Sequence, residues 1–493
     1  MSTINSSTTT QQKVNRSVPA TLVKIVWTLF ITSSGFMTWY AVSGSPISIG
    51  NVIVIDGLTA VMWVAVTFFS GIVHSYSYRY MSADPGLLRF FYSLTLITVS
   101  VATMTAANHI ALFIISWGAM GWFMSNLIGH ARDWPQAREA GLHARWSFLA
   151  GTGLITASLI LLWQQTGAAT ISGIISSLGG DFGLQTLAGV LLILAAVIQS
   201  ALFPFHKWLL SSMTAPTPAS AIMHAGFVNA GGVLLTRFAP VFAQNASLMA
   251  FITIVGATSA VLAHICMLAQ PNIKSKLGCS TVAQMGFMIL QCGLGFFAAA
   301  IAHLIIHGFY KAYQFLSSGS QIKQTNPGGS HASDSNEIPS VVKIGIPILT
   351  AVGSGVLFAL LTNKDLTSLS TGLFLTIIVA VSGLHATRSL IDKGKIAPIS
   401  RIISVPVLIV PAISLYALIY NVISTTIKDL PVTSIKIELT TVHWLALGVF
   451  VLTHFILLTG WHKRSQRLYT LGLNAVQPVS ETVLVNKGDY NES

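Results

Sequence analysis

The chain has 493 residues, of which 53% are hydrophobic and only 8% are charged, with a mean hydropathy of +0.71. Fourteen acidic residues cannot solvate the surface of a soluble protein of this length, so a soluble enzyme, a nucleic-acid-binding domain and a disordered chain are excluded. The net charge of +12 then reads as basic loops on one face of a polytopic membrane protein, not as an affinity for nucleic acid.

In chain order, residues 1–19 are rich in Ser, Thr and Gln and are expected to form a disordered cytoplasmic tail. A bilayer core of about 30 Å takes about 20 apolar residues per helix. On that scale, spans are predicted near 20–43, 52–74, 87–106, 108–130, 146–164, 184–204, 218–241, 248–270, 278–296, 297–318, 341–361, 370–390, 402–422 and 440–461. The first of them, Thr21 to Val42, is too long for a signal-peptide core. The expected fold is an all-α polytopic membrane protein of about 14 transmembrane helices. Residues 20–320 form its core, 321–340 a polar cytoplasmic linker, 341–461 the C-terminal transmembrane helices and 462–493 a cytoplasmic tail. Cys266, Cys279 and Cys292 lie in or near apolar segments without metal-ligand spacing, so reduced, buried thiols are expected.

The basic residues test the span assignment. With Lys311 set aside as intramembrane, 21 of the 26 Lys and Arg fall in loops and tails on one side. Only Arg237, Lys364, Lys428 and Lys436 fall on the other. A bias of that size places both termini in the cytoplasm.

Ionisable groups at membrane depth are costly, so each is a functional candidate. Asp56 is the one acidic residue inside a predicted span, near its end. The remaining candidates are basic: His224, His264, His303, His307, Lys311, His385 and His454. His303, His307 and Lys311 recur every four residues, which aligns them on one helix face about 6 Å apart. Histidine passes protons near neutral pH, and three such groups in a row form a hydrated proton path. The alternatives are polar residues that tie helices together, or a metal site. The sequence HExxH is absent and a lysine one turn on would repel a metal, so no metal or cofactor is expected in this chain. Pro204, just after Gln199, interrupts an apolar helix. Spacing alone leaves two readings open: a broken helix of the transporter kind, or an interfacial turn.

The segment Ala215–Arg237 (APTPASAIMHAGFVNAGGVLLTR) resembles the characteristic motif of the antiporter-like membrane subunits. That superfamily includes the chain 5 type subunit of respiratory complex I and the Mrp cation/proton antiporters. The resemblance covers most of the first 320 residues. It takes in Asp56-Gly57-Leu58, His74-Ser75-Tyr76, Arg89-Phe90-Phe91, Trp117, Lys274, Ser280-Thr281 and His303…His307…Lys311. The variants HAGFVNAGG and FPFHKWLLSSM look most like the B subunit of Dab-type inorganic carbon transporters. The resemblance implies inverted repeats with at least one broken helix. It also implies a proton or sodium path through His224, Lys274, His303, His307 and Lys311, and a bacterial inner-membrane location. A carbonic-anhydrase-like A subunit on the cytoplasmic side would hold the zinc.

This chain departs from the family pattern in places. The buried glutamate that follows the aligned Trp117 is replaced by Gly118, and the lysine of the broken helix by Gln199. After residue 340 only Lys364 offers a counterpart to the later lysine. Three functions follow as expectations. The first is an ion-conducting subunit that drives a partner's CO2 hydration, a transporter subunit with no enzyme chemistry of its own. The second is a cation/proton antiporter or quinone-oxidoreductase subunit, and the third a non-conducting scaffold. The missing Glu–Lys pair favours the first or third.

Overall fold

The computed structural model describes residues 4–179, 182–270, 272–318, 340–364, 366, 371–391, 398–431, 440–459 and 466–479. The linker 321–340, apart from its last residue, the tail beyond 479 and the side chains of His385 and His454 lie outside the described residues.

Helix α1 (Ile4–Ser43) begins ahead of the boundary placed at residue 19, continuing through Pro19 on the polar side of its apolar run. A short hairpin follows, β1 (Ile47–Ile49) paired antiparallel with β2 (Ile53–Ile55), turning at Gly50 with φ +56°, a conformation that favours glycine. Then come α2 (Gly57–Tyr80), α3 (Leu87–Ala106), α4 (Ile110–Ile128), α5 (Pro135–Thr166), α6 (Ile171–Ser176), α7 (Phe182–Gln199) and α8 (Lys207–Ser211). The central elements are α9 (Thr217–Ala225), α10 (Ala230–Arg237), α11 (Ala239–Phe242), α12 (Ala246–Ala269), α13 (Ile273–Gly293) and α14 (Phe297–Leu316). The C-terminal part holds α15 (Ser340–Leu361), α16 (Thr371–Ile391), α17 (Pro398–Thr426), α18 (Thr441–Thr459) and the amphipathic α19 (Gln466–Ala475).

Each predicted span overlaps helical residues, with 218–241 divided among α9, α10 and α11, and the helices differ in character. Among the described residues nine are long and apolar enough to cross a membrane, and three shorter apolar helices lie within α15, α16 and α18. The hairpin α13–α14 falls outside both sets because it carries Lys274, Lys276, His303, His307 and Lys311. Two sequence expectations need correction. Residues 53–55 are strand and Val52 lies in the turn before it, not in a helix, because β-branched Ile53, Val54 and Ile55 suit an extended chain. Asp56 is therefore the N-cap of α2 and lies outside the span. The helix predicted near 146–164 begins about three turns earlier, since α5 starts at Pro135.

Lipid tails give helices no hydrophobic reason to associate, so close approach must come from small residues. A Cβ on Gly256 would stand 2.5 Å from the Leu290 nitrogen, and one on Gly286 2.5 Å from the Ala260 nitrogen, so α12 and α13 touch backbone to backbone. Burial then grades inward. The α9–α10 span is 94% buried, while α1 is only 11% buried and turns Ile25, Ile31, Trp39 and Val42 outward, as a lipid-facing helix must. The three cysteines are free and buried.

Candidate functional site

The site is assembled around two interrupted helices. The α7 helix stops at Gln199, and residues 200–206, including Pro204, are non-helical before α8 resumes. A second break was not anticipated: α9 ends at Gly226, a 3-10 turn spans Phe227–Asn229, and α10 continues. Breaks of this kind free backbone carbonyls that must find donors in a waterless interior. Here the carbonyls of the second break are met by donors from the first and by one of its own. Gln199 Nε2 donates to the Phe227 carbonyl at 3.1 Å, Ser200 Oγ to Val228 at 2.9 Å, and Asn229 Nδ2 to Ala225 at 2.7 Å. Gln199 is thus a neutral tie between the two breaks.

The α14 helix crosses directly over α9 because Gly308 lets it: a Cβ there would lie 2.8 Å from the Ala225 carbonyl. That crossing brings the predicted residues together. Lys311 is fully buried and donates from Nζ to the Leu277 carbonyl at 3.0 Å. The same carbonyl accepts from Thr281 Oγ1 at 3.0 Å, and Thr281 pairs at 3.0 Å with Nδ1 of His224, whose ring stacks on Phe315. His307 lies beside the His224 backbone. Its ring lies parallel to that of His303, centroids 5.9 Å apart, the spacing expected of one helix face. Lys274 stands one turn before Leu277, half-buried, and donates to the Met213 and Ala215 carbonyls at 3.3 Å each. His264, half-buried on α12, is not drawn into this cluster by any of these bonds. Gly118 faces Thr152 of α5, with no carboxylate in its place.

The series is notable for its partners. The ion pairs seen among the described residues include His130–Asp84, Arg138–Glu139 and Arg237–Asp56, and none of the carboxylates among those residues pairs with Lys311. Nε2 of His224, His303 and His307 is buried without a protein partner, as is Asn229 Oδ1. By contrast His74, equally buried, has both ring nitrogens paired, with Ser70 and with Thr95 at 3.0 Å. Buried polar atoms normally find partners. Three imidazoles with a bare nitrogen, aligned with an amine, form a chain of groups that can each gain or release a proton. Among the described residues no three His, Cys, Asp or Glu gather as metal ligands. Sequence reasoning missed Thr281 and Asn229 as members, although both fall within the motifs that carry the resemblance.

The family model "NADH:quinone oxidoreductase/Mrp antiporter, TM" matches residues 107–364, just over half of the chain, and a complex I chain 5 N-terminal model matches 39–91. The chain belongs to this family. Among curated proteins it is 41% identical over 281 residues to a probable inorganic carbon transporter subunit, DabB1, of Halothiobacillus neapolitanus, covering 55% of this chain and 50% of that protein. It is 35% identical to chloroplastic NAD(P)H-quinone oxidoreductase subunit 5 of Saccharum officinarum, over 57% of this chain and 39% of that one. The chain thus spans about half the length, or less, of these curated relatives. Among solved structures, a chain of the Mrp complex from Dietzia sp. DQ12-45-1b covers 94% of this chain at 21% identity and TM-score 0.56, and this chain covers 52% of it. A chain of the archaeal membrane-bound sulfane sulfur reductase aligns over 96% of both chains at 17% identity and TM-score 0.57. At those identities the likeness shows the fold alone.

Proposed function

We propose that this chain is the ion-conducting membrane subunit of an energy-coupled inorganic carbon pump. It crosses a bacterial inner membrane about fourteen times with both termini in the cytoplasm. The observation that carries the conducting role is Lys311, buried without a carboxylate partner among the described residues and aligned with three imidazoles that each keep a nitrogen unpaired. Protons, or sodium ions, run down their gradient along His224, Lys311, His307 and His303, with Lys274 at the cytoplasmic mouth. The carbon assignment is supported by the 41% identity to a probable inorganic carbon transporter subunit. Glycine at 118 and glutamine at 199 weigh against full antiport, because the charged pair that would gate it is absent.

Work is then done by a partner, a carbonic-anhydrase-like zinc subunit on the cytoplasmic side, where bicarbonate is trapped. One charge moved through 100 mV supplies about 2.3 kcal/mol, enough to bias a hydration equilibrium more than tenfold. A conducting path without a partner would dissipate the gradient, so the complex is obligate. The test uses cells that lack carbonic anhydrase. This chain with its partner should restore growth in ordinary air, and this chain alone should not. Restoration by this chain alone contradicts the proposal. Cation/proton exchange by this chain without the partner would favour the antiporter reading instead.

A further inference from the structure

Helix α5 is longer than a bilayer needs, and its exposed residues show where the bilayer lies on it. Leu142, Trp146, Leu149, Gly153, Ile160 and Trp163 are exposed and recur at helical spacing, so they form one stripe. A Cβ on Gly153 would meet nothing within 4 Å, so no other helix covers the stripe at its middle. An uncovered apolar stripe on a spanning helix faces lipid. Its two tryptophans, Trp146 at 70% exposed and Trp163 at 47%, are separated by a rise of about 25 Å. Aromatic residues gather at the two borders of a hydrocarbon core of about 30 Å, so this pair brackets the core. Trp146 stands at the end that the loop charges assign to the cytoplasm.

Arg145 lies at the same level, and neutral groups hold its guanidinium in place. Nε donates to Ser125 Oγ at 3.2 Å and Nη2 to Asn126 Oδ1 at 2.8 Å, both in the last turn of α4. Its Cζ also sits 4.2 Å from the centroid of the Trp122 ring, and Trp122 is exposed. Nη1 takes part in neither hydrogen bond, and among the described residues no carboxylate pairs with Arg145. Arg138, two turns earlier, differs on each count: it is exposed and has Glu139 at 4.0 Å. A planar fork fixed in one orientation with no countercharge is prepared for an anion that binds it through two hydrogen bonds.

We propose that Arg145, Trp122 and Trp146 bind an anionic phospholipid of the cytoplasmic leaflet. The phosphate accepts from the open side of the guanidinium, Trp146 borders the ester level, and an acyl chain lies along Leu149 and Gly153. A free phosphate has no chain to lay on that stripe. A zwitterionic headgroup brings its own cation to the phosphate, which competes with the guanidinium, so the site selects a lipid of net negative charge. The site requires only that the chain spans a membrane and stands apart from the ion path.

Native mass spectrometry of the full chain in detergent tests it, with phosphatidylglycerol as the probe and phosphatidylcholine as the neutral control. Phosphatidylglycerol should bind more tightly, and Arg145→Gln should weaken it about tenfold, the worth of a charge-assisted hydrogen bond. Arg138→Gln removes the same charge from the exposed end of the helix and should leave binding unchanged. Equal binding of the two lipids, or equal losses in the two variants, would make the attraction a general surface charge and overturn the site. Displacement of the lipid by an equal concentration of glycerol phosphate would make it a soluble-anion site and overturn the lipid assignment. Should Arg145→Gln fail to assemble, Arg145→Lys carries the test: it keeps the charge without the fork, so its affinity should fall, and wild-type affinity would contradict the proposal.

Discussion

Two buried cations in this protein have opposite surroundings. Arg237, at the end of α10, is bidentate to Asp56 and also reaches the Thr59 hydroxyl and the Thr105 carbonyl at 2.8 Å. Burial by itself would raise the Asp56 carboxyl, but the Arg237 guanidinium and the bonds from Thr59 outweigh it and hold it below the ordinary carboxylate range. Every charge there is matched, and nothing can titrate or leave. Lys311 has one neutral carbonyl and a row of imidazoles. A saturated ion pair fixes helices α2, α3 and α10 together, whereas an unmatched amine is free to change its charge. Burial does not by itself mark function; an unfilled set of partners does.

The largest break in this comparison comes from Arg237→Met. It strands the Asp56 carboxylate in a buried site, a loss of about 3–5 kcal/mol, so thermal unfolding in detergent should fall sharply and little protein should assemble. Asp56→Asn combined with it should cost less than the two single changes added together, because the pair is one interaction. A neutral outcome for Arg237→Met would show that the pair is exposed to water in the membrane. Gly308→Val comes next. Its side chain has no room against Phe69 and the Ala225 carbonyl, so α14 must move off α9 at a cost of about 1–3 kcal/mol. Flux should fall with stability there, since the shift parts His307 from His224. Loss of stability without loss of flux would separate the crossing from the path.

The broad architecture was legible because apolar runs of membrane length allow few alternatives. Its interruptions were legible only where proline announced them. Pro204 could be read, whereas the break at Gly226 could not, since a lone glycine in an apolar run reads as helix. The apolar run Val52–Ile55 misled in the other direction, passing a strand off as helix and pulling Asp56 into the membrane. On the candidate site, the four-residue spacing was enough to align His303, His307 and Lys311. The bond from His224 to Thr281 spans 57 residues, which no local pattern reveals.

Smaller changes sharpen the contrast. Gly118→Ala places a Cβ in ordinary contact with Thr152 at 3.5 Å, so it should leave flux unchanged and stabilise the helix by up to about 1 kcal/mol. Lost activity would mean that position 118 needs bare backbone. The smallest effect concerns His130, which lies between α4 and α5. Burial lowers its imidazole below the ordinary range, and Asp84 at 3.1 Å restores only part of the shift. The unfolded chain takes up that proton near pH 6.5, before the folded one does. Its contribution to stability is therefore present above about pH 6.5 and is lost as the pH falls towards the folded value. Melting temperature measured between pH 7.5 and 5.5 should drop slightly in the wild type and less in His130→Gln; equal slopes would remove His130 from the account.

The central claim is that Lys311 carries charge through the membrane and does not merely hold helices together. Lys311→Met keeps the length of the side chain and removes only its titration. In proteoliposomes containing the assembled complex, with a potential imposed across the membrane, this variant should insert and assemble as the wild type does while its ion flux falls to that of empty vesicles. Wild-type flux in correctly assembled Lys311→Met would contradict the account.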